Sequence, residues 1–214
     1  MSFFRRRGRV SHSLAASAGG GSVRGAASDV PSWSASRRKP HSIADHRMCN
    51  PAGRLNRMPT LTLFCGLPGS GKTTLAKQLE RDGCGVRICT DDWQADLGVA
   101  HAEETFHNRL QQRLYRLAVE LLSRGVDVIL EDGLWTRPER TEKLAAAREL
   151  NARVELHFFD LSLEDLWTRV RHRNATVHAA AVPITRELLD LYWRMFQPPD
   201  QAELATFDYV LIYR

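Results

Sequence analysis

Apolar positions change character partway along this chain of 214 residues. Before residue 58 they are sparse and follow no period; after it, apolar runs alternate with apolar stripes. Leu61, Leu63, Phe64 and Cys65 form a nearly continuous apolar run, as expected of a strand covered on both faces. A helical pattern follows from Thr73 to Glu80, Asp82-Gly83 closes it, and Val86 to Cys89 reads as a second strand. Between Thr105 and Arg124, Phe106, Leu110, Leu114, Leu117 and Leu121 recur three and four apart, which predicts one face of a long amphipathic helix. Gly125 ends it, and Val126 to Leu130 is a third strand. Thr136 starts another helix with Pro138 in its first turn, running to about Leu150. Arg153 to Phe159 is a fourth strand, and Ser162 with Asp165 caps a helix through Arg171. Residues 174–184 lack periodicity, Thr185 to Leu188 opens a helix that stops before Pro198-Pro199, and Phe207 to Tyr213 closes the chain as a strand. This alternation predicts an α/β fold: a five-stranded, mostly parallel sheet with helices on both faces.

The first strand breaks into Gly66-Leu67-Pro68-Gly69-Ser70-Gly71-Lys72-Thr73-Thr74, which satisfies G-x-x-x-x-G-K-[ST], the P-loop pattern. Gly66, Gly69 and Gly71 admit backbone angles closed to other residues, so successive amides can converge on an anion. The positive end of the following helix faces the same point. Lys72 adds a mobile charge for terminal phosphates, and Thr73 an oxygen for Mg²⁺. A turn of this make-up predicts nucleotide binding by residues 66–74.

Ligands of parallel sheets sit beyond the carboxyl ends of the strands. Thr90-Asp91-Asp92 and Glu131-Asp132 follow the second and third strands, so both should meet the P-loop on one edge. Asp91 is the candidate to accept a proton from an acceptor hydroxyl or to ligate Mg²⁺ through water, with Asp92 as its alternative. An aspartate that merely caps a helix is the plain reading of the same residues. Glu131 and Asp132 are candidates for outer Mg²⁺ ligation or substrate contact. Arg137 and Arg140 stand in the first turn of a helix, where cations need compensation; an anionic substrate would supply it, and so would solvent. Arg169 and Arg173 lie four apart on one helix face, just before the aperiodic segment. A lid over about residues 169–184 carrying them would neutralise charge developing in transfer and exclude water. Trp135 and His157 are read as structural.

Charge changes the picture once the chain is divided. The net charge is +5, but residues 1–57 hold 11 Lys and Arg against 2 Asp and Glu, leaving a net −4 on residues 58–214. The first 57 residues are rich in Ser, Gly, Ala and Arg and read as a disordered basic tail. Their composition fits an organelle transit peptide, and a start at Met58 is the favoured alternative. No segment is long or apolar enough to span a membrane. The four cysteines show no metal-ligand spacing and are expected to be reduced thiols of a cytoplasmic protein.

With these segments assembled, residues 60–213 resemble the P-loop kinase-like ATPases grouped as AAA-type predicted kinases. That group is similar to polynucleotide 5′-hydroxyl kinases, chloramphenicol phosphotransferase and zeta-toxin-type kinases. The matching stretches are GLPGSGKTT, CTDDW, VILEDGLWTRPER and LWTRVRHRN. The resemblance implies a P-loop kinase fold, ATP and Mg²⁺ as cofactors, Asp91 as base, and lid arginines within 169–173. Two departures stand out. The polynucleotide kinase pattern carries an arginine three residues after the aspartate, where this chain has Gln94, and the usual strand-end aspartate appears as Glu131. With the net −4 of residues 58–214, Gln94 weighs against a nucleic-acid acceptor. The expectation is an ATP-dependent kinase acting on a small-molecule hydroxyl. The alternatives are a 5′-hydroxyl kinase for nucleic-acid ends and a nucleotide-binding module or switch with slow ATP hydrolysis.

Overall fold

A computed structural model describes residues 57–100, 102–176 and 183–214, together with the backbone of a short strand at residues 35–36. The strands are β1 (Ala35–Ser36), β2 (Thr60–Cys65), β3 (Val86–Ile88), β4 (Val128–Leu130), β5 (Arg153–Phe159) and β6 (Tyr209–Tyr213). They form one sheet in the order β1-β6-β5-β2-β4-β3, with β2 to β6 all parallel and β1 antiparallel on the β6 edge. The expected parallel sheet of five strands is therefore present. β1 falls within the segment read as disordered; the rest of residues 1–56 lies outside the described residues.

The helices are α1 (Lys72–Arg81), α2 (Thr90–Asp96), α3 (Glu104–Ser123), α4 (Arg137–Glu149), α5 (Leu163–Thr176), α6 (Arg186–Met195) and α7 (Gln201–Leu204). α5 runs five residues past its expected end at Arg171. Residues 177–182, the middle of the expected lid, lie outside the described residues. α2 and α7 were not anticipated, since each is too short to show an apolar stripe.

Strand alternation divides the core between two faces. Leu61, Leu63, Val128, Leu130, Val154, Leu156 and Phe158 pack with Leu114, Ala118 and Leu122 of α3 and Leu144 and Ala147 of α4. Phe64, Ile129 and Phe159 point the other way, onto Ala76, Leu75 and Leu79 of α1. Burying a Leu or Phe side chain stabilises by about 1.5–3 kcal/mol, so both faces resist slippage of a strand. His157 stacks between Phe64 and Tyr213, and its Nδ1 lies 2.7 Å from the Tyr213 hydroxyl.

Cys65 and Cys89 are free buried thiols, each pushed up to about 12 chiefly by burial. Cys84 is disulfide-bonded, which corrects the expectation of four reduced thiols. Among the described residues, no helix is long and apolar enough to cross a membrane.

Candidate active site

The loop between β2 and α1 has the backbone its glycines require. Gly69 and Gly71 hold φ of +82° and +105°, and Gly71 is the residue that caps α1. A Cβ at Gly69 would stand 2.7 Å from Val170 Cγ2 and 3.2 Å from the Leu166 carbonyl, so α5 lies against the loop. The loop is also pinned from β4: Gly66 N–H donates to the Gly133 carbonyl at 3.1 Å, and Trp135 Nε1 donates to the Gly66 carbonyl at 3.3 Å. Lys72 Nζ donates to the Leu67 carbonyl at 2.8 Å and to Ser70 Oγ at 3.3 Å. Burial pushes Lys72 down to about 8, opposed by the charges of Glu131 and Asp91, while Arg173 lowers it further. Leu67 and Ser70 are buried and Pro68 half-buried; Thr73 and Thr74 are exposed at the start of α1.

Three of the sequence-selected charges thus act on Lys72, and others do not join them. Asp91, whose side chain is 70% exposed, stands on the first turn of α2, with His107 Nδ1 3.9 Å from its Oδ1. Asp92 turns to Arg87, which donates to it at 2.8 Å from both Nη1 and Nη2.

 Burial alone would raise the Asp92 carboxyl, but the Arg87 guanidinium outweighs burial and holds it below the ordinary carboxylate value. Arg87 Nε also donates to Glu131 Oε2 at 2.6 Å. Glu131 and Asp132 are adjacent in sequence but leave β4 on opposite faces, as strand periodicity demands. Glu131 follows Ile129 onto the α1 side, while Asp132 is buried on the α3 side, where Thr90 Oγ1 donates to it at 3.4 Å. Burial pushes the Asp132 carboxyl up, partly offset by a hydrogen bond from Gln111.

The arginines divide in the same way. Arg169 Nη1 donates to the Ser70 carbonyl at 3.4 Å, and the buried Arg173 Nε has no hydrogen-bond partner among the described residues. Both project from α5 toward the P-loop. Arg140 corrects the expectation of a substrate contact: it is 0% exposed, and Glu203 takes its Nε at 2.6 Å and its Nη2 at 3.0 Å. Arg137 is compensated within the chain as well, by Asp200 at 3.0 Å and Glu203 at 3.2 Å.

Two residues with a place here, Arg87 and His107, escaped the sequence reading. Arg87 left a signal, a charge between Val86 and Ile88 in a strand whose inner face must pair it. His107 left none, and Gln94 entered only as a departure from the polynucleotide kinase pattern. Gln94 is fully buried, donates to the Ala100 carbonyl at 2.7 Å and sets its Oε1 2.9 Å from His107 Nδ1. The position that carries arginine in the polynucleotide kinase pattern therefore anchors a histidine beside Asp91.

The AAA domain family model AAA_33 matches residues 61–199. Over 146 residues the chain is 26% identical to the Signal recognition particle 54 kDa protein of Thermococcus gammatolerans, covering 61% of this chain and 33% of that protein. The chain thus spans about a third of the length of the curated relatives it matches. Among solved structures, the Pnkp1/Rnl/Hen1 RNA repair complex superposes with a TM-score of 0.58 at 21% identity, covering 76% of this chain and 50% of that one. Kti12 of Chaetomium thermophilum, in complex with ADP-AlF3, gives 0.54 at 19% identity, covering 72% and 88%. Identities this low speak to the fold, which is that of the P-loop kinases. With a match across well over half of its length, the chain belongs to the AAA domain family.

Proposed function

We propose that this chain is an ATP-dependent kinase that moves the γ-phosphoryl group of ATP to a hydroxyl of a small molecule. The observation that carries the reading is the company of Lys72: the P-loop ammonium feels Glu131 and Asp91 on one side and Arg173 on the other. Acid, cation and phosphate cradle are the parts phosphoryl transfer needs at one point. Residues 58–214 form the catalytic domain in this reading, with the lid at about 169–184.

The amides of residues 66–74 and Lys72 hold the phosphates. Asp91 takes the acceptor O–H proton as the new P–O bond forms and the bond from the γ-phosphorus to the ADP oxygen breaks. Arg169 and Arg173 lie where charge on the moving group would be met, and α5 against the loop limits water. The residues present fit Mg²⁺, since Thr73 offers an exposed hydroxyl and Asp91 a carboxylate to an ion that draws its other ligands from phosphate and water. Bound there, Mg²⁺ would neutralise phosphate charge. Glu131, bonded to Arg87, fits an outer role through water better than direct ligation.

ATP turnover by the full chain, with and without small hydroxyl compounds and 5′-hydroxyl oligonucleotides, tests the reading. Small hydroxyl compounds are expected to accelerate turnover. Lys72→Ala should abolish it, and Asp91→Asn should lower it by about 10²–10⁴ with ATP binding retained. Stimulation by oligonucleotide ends alone, lost steeply with salt, would move the acceptor to nucleic acid. Unchanged turnover in Asp91→Asn would leave a nucleotide-binding module.

A further inference from the structure

A groove of about 460 Å³ opens between α3 and α4, lined among others by Gln111, Tyr115, Arg116, Asp132, Glu142 and Lys143. That volume suits a small molecule, for which sites run roughly 300–1,000 Å³. Its floor is unusual chemistry for a surface dent. Asp132 is 7% exposed, and the buried Tyr115 hydroxyl has no hydrogen-bond partner among the described residues. Lys143 Nζ lies 3.4 Å from the centre of the Tyr115 ring and 3.2 Å from Glu142 Oε1, and its charge also acts on Asp132. A buried carboxyl held by one long hydroxyl bond and one amide, beside an unpaired phenol, favours a ligand that donates several hydrogen bonds.

A chain of side-chain contacts runs from the groove to Asp91. His107, Gln111 and Tyr115 stand four apart on α3 and share one face. Gln111 bonds Asp132, His107 lies 3.9 Å from Asp91, and Thr90, bonded to Asp132, is the neighbour of Asp91 in the chain. The lining sets Asp132, Glu139 and Glu142 against Arg116 and Lys143, which gives a polyanionic strand no basic footprint.

We propose that this groove is the acceptor site and takes a compact alcohol that also carries an amine, with the amine on Asp132 and Tyr115 and the hydroxyl toward Asp91. The proposal rests on the kinase reading and deepens it. Calorimetric titration of the full chain, saturated with a non-hydrolysable ATP analogue, tests it with glucosamine, galactosamine and ethanolamine. Glucose, galactose and ethylene glycol are the amine-free counterparts. At least one aminated compound is expected to bind, its counterpart at least tenfold more weakly. Asp132→Asn should weaken that binding at least tenfold. Tyr115→Phe, which removes only an unpaired hydroxyl, should weaken it severalfold without lowering Tm, and it carries the test should Asp132→Asn fail to fold. If the analogue binds but no aminated compound does, or if folded variants bind it as the wild type does, the acceptor site is overturned while the kinase reading stands. If the analogue itself does not bind, both fall.

Discussion

Lys72 is half-buried and Arg140 fully buried, and their partners give these two cations different fates. Among the described residues, Lys72 meets only neutral oxygens within bonding distance, and burial pushes it down to about 8 from an ordinary 10.5. The unfolded chain therefore holds more protons than the folded one between those two values, so this group's penalty to folding is full below pH 8 and is relieved as pH rises through the window. Triphosphate favours the ammonium and reverses the shift. Nucleotide binding at pH 9 should accordingly take up a proton and weaken by up to about tenfold per pH unit above 8. Calorimetry in buffers of differing ionisation heat measures the uptake, which should vanish in Lys72→Ala. Arg140, in contrast, is fully paired by Glu203. Glu203→Gln weakens that pairing and should cost up to about 3–5 kcal/mol in urea unfolding, whereas Arg137→Ala, at an exposed pair, should cost mostly below about 1 kcal/mol there.

At the level of elements, the segment from β4 to α4 does two jobs. Gly133 and Trp135 hold the P-loop, and Thr136 then starts α4 with a capping box, its side chain accepting from Glu139 N–H while the Glu139 carboxylate accepts from Thr136 N–H. Thr136→Ala should lower stability by about 1 kcal/mol and leave nucleotide affinity unchanged, because the cap lies outside the phosphate cradle. Thermal unfolding with and without ATP separates the two effects. A parallel fall in affinity would mean the cap transmits strain through Trp135 to the loop.

For the molecule as a whole, the sheet is two-sided, and residues 58–214 hold the three core clusters found among the described residues. A chain beginning at Met58 is therefore expected to fold and to bind nucleotide. A fall in Tm of more than about 10 °C, read by calorimetry, would show that the preceding segment contributes to the fold.

The periodicity of apolar residues determined the order of the five parallel strands and the longer helices, and the spacing of glycines with Lys72 singled out the turn proposed to hold phosphates, because both follow local rules of backbone geometry. Strand-end acids were locatable for the same reason. Which of them face the loop was not legible: Glu131 and Asp132 separate only once β4 is paired and its two faces are covered. Arg140 looked like an available cation until Glu203, 63 positions later, closed on it. Gln94 and His107 meet across two helices whose packing no local pattern encodes. Pairing of distant polar groups is a tertiary decision, since the cost of leaving them buried and unpaired arises only when the core closes.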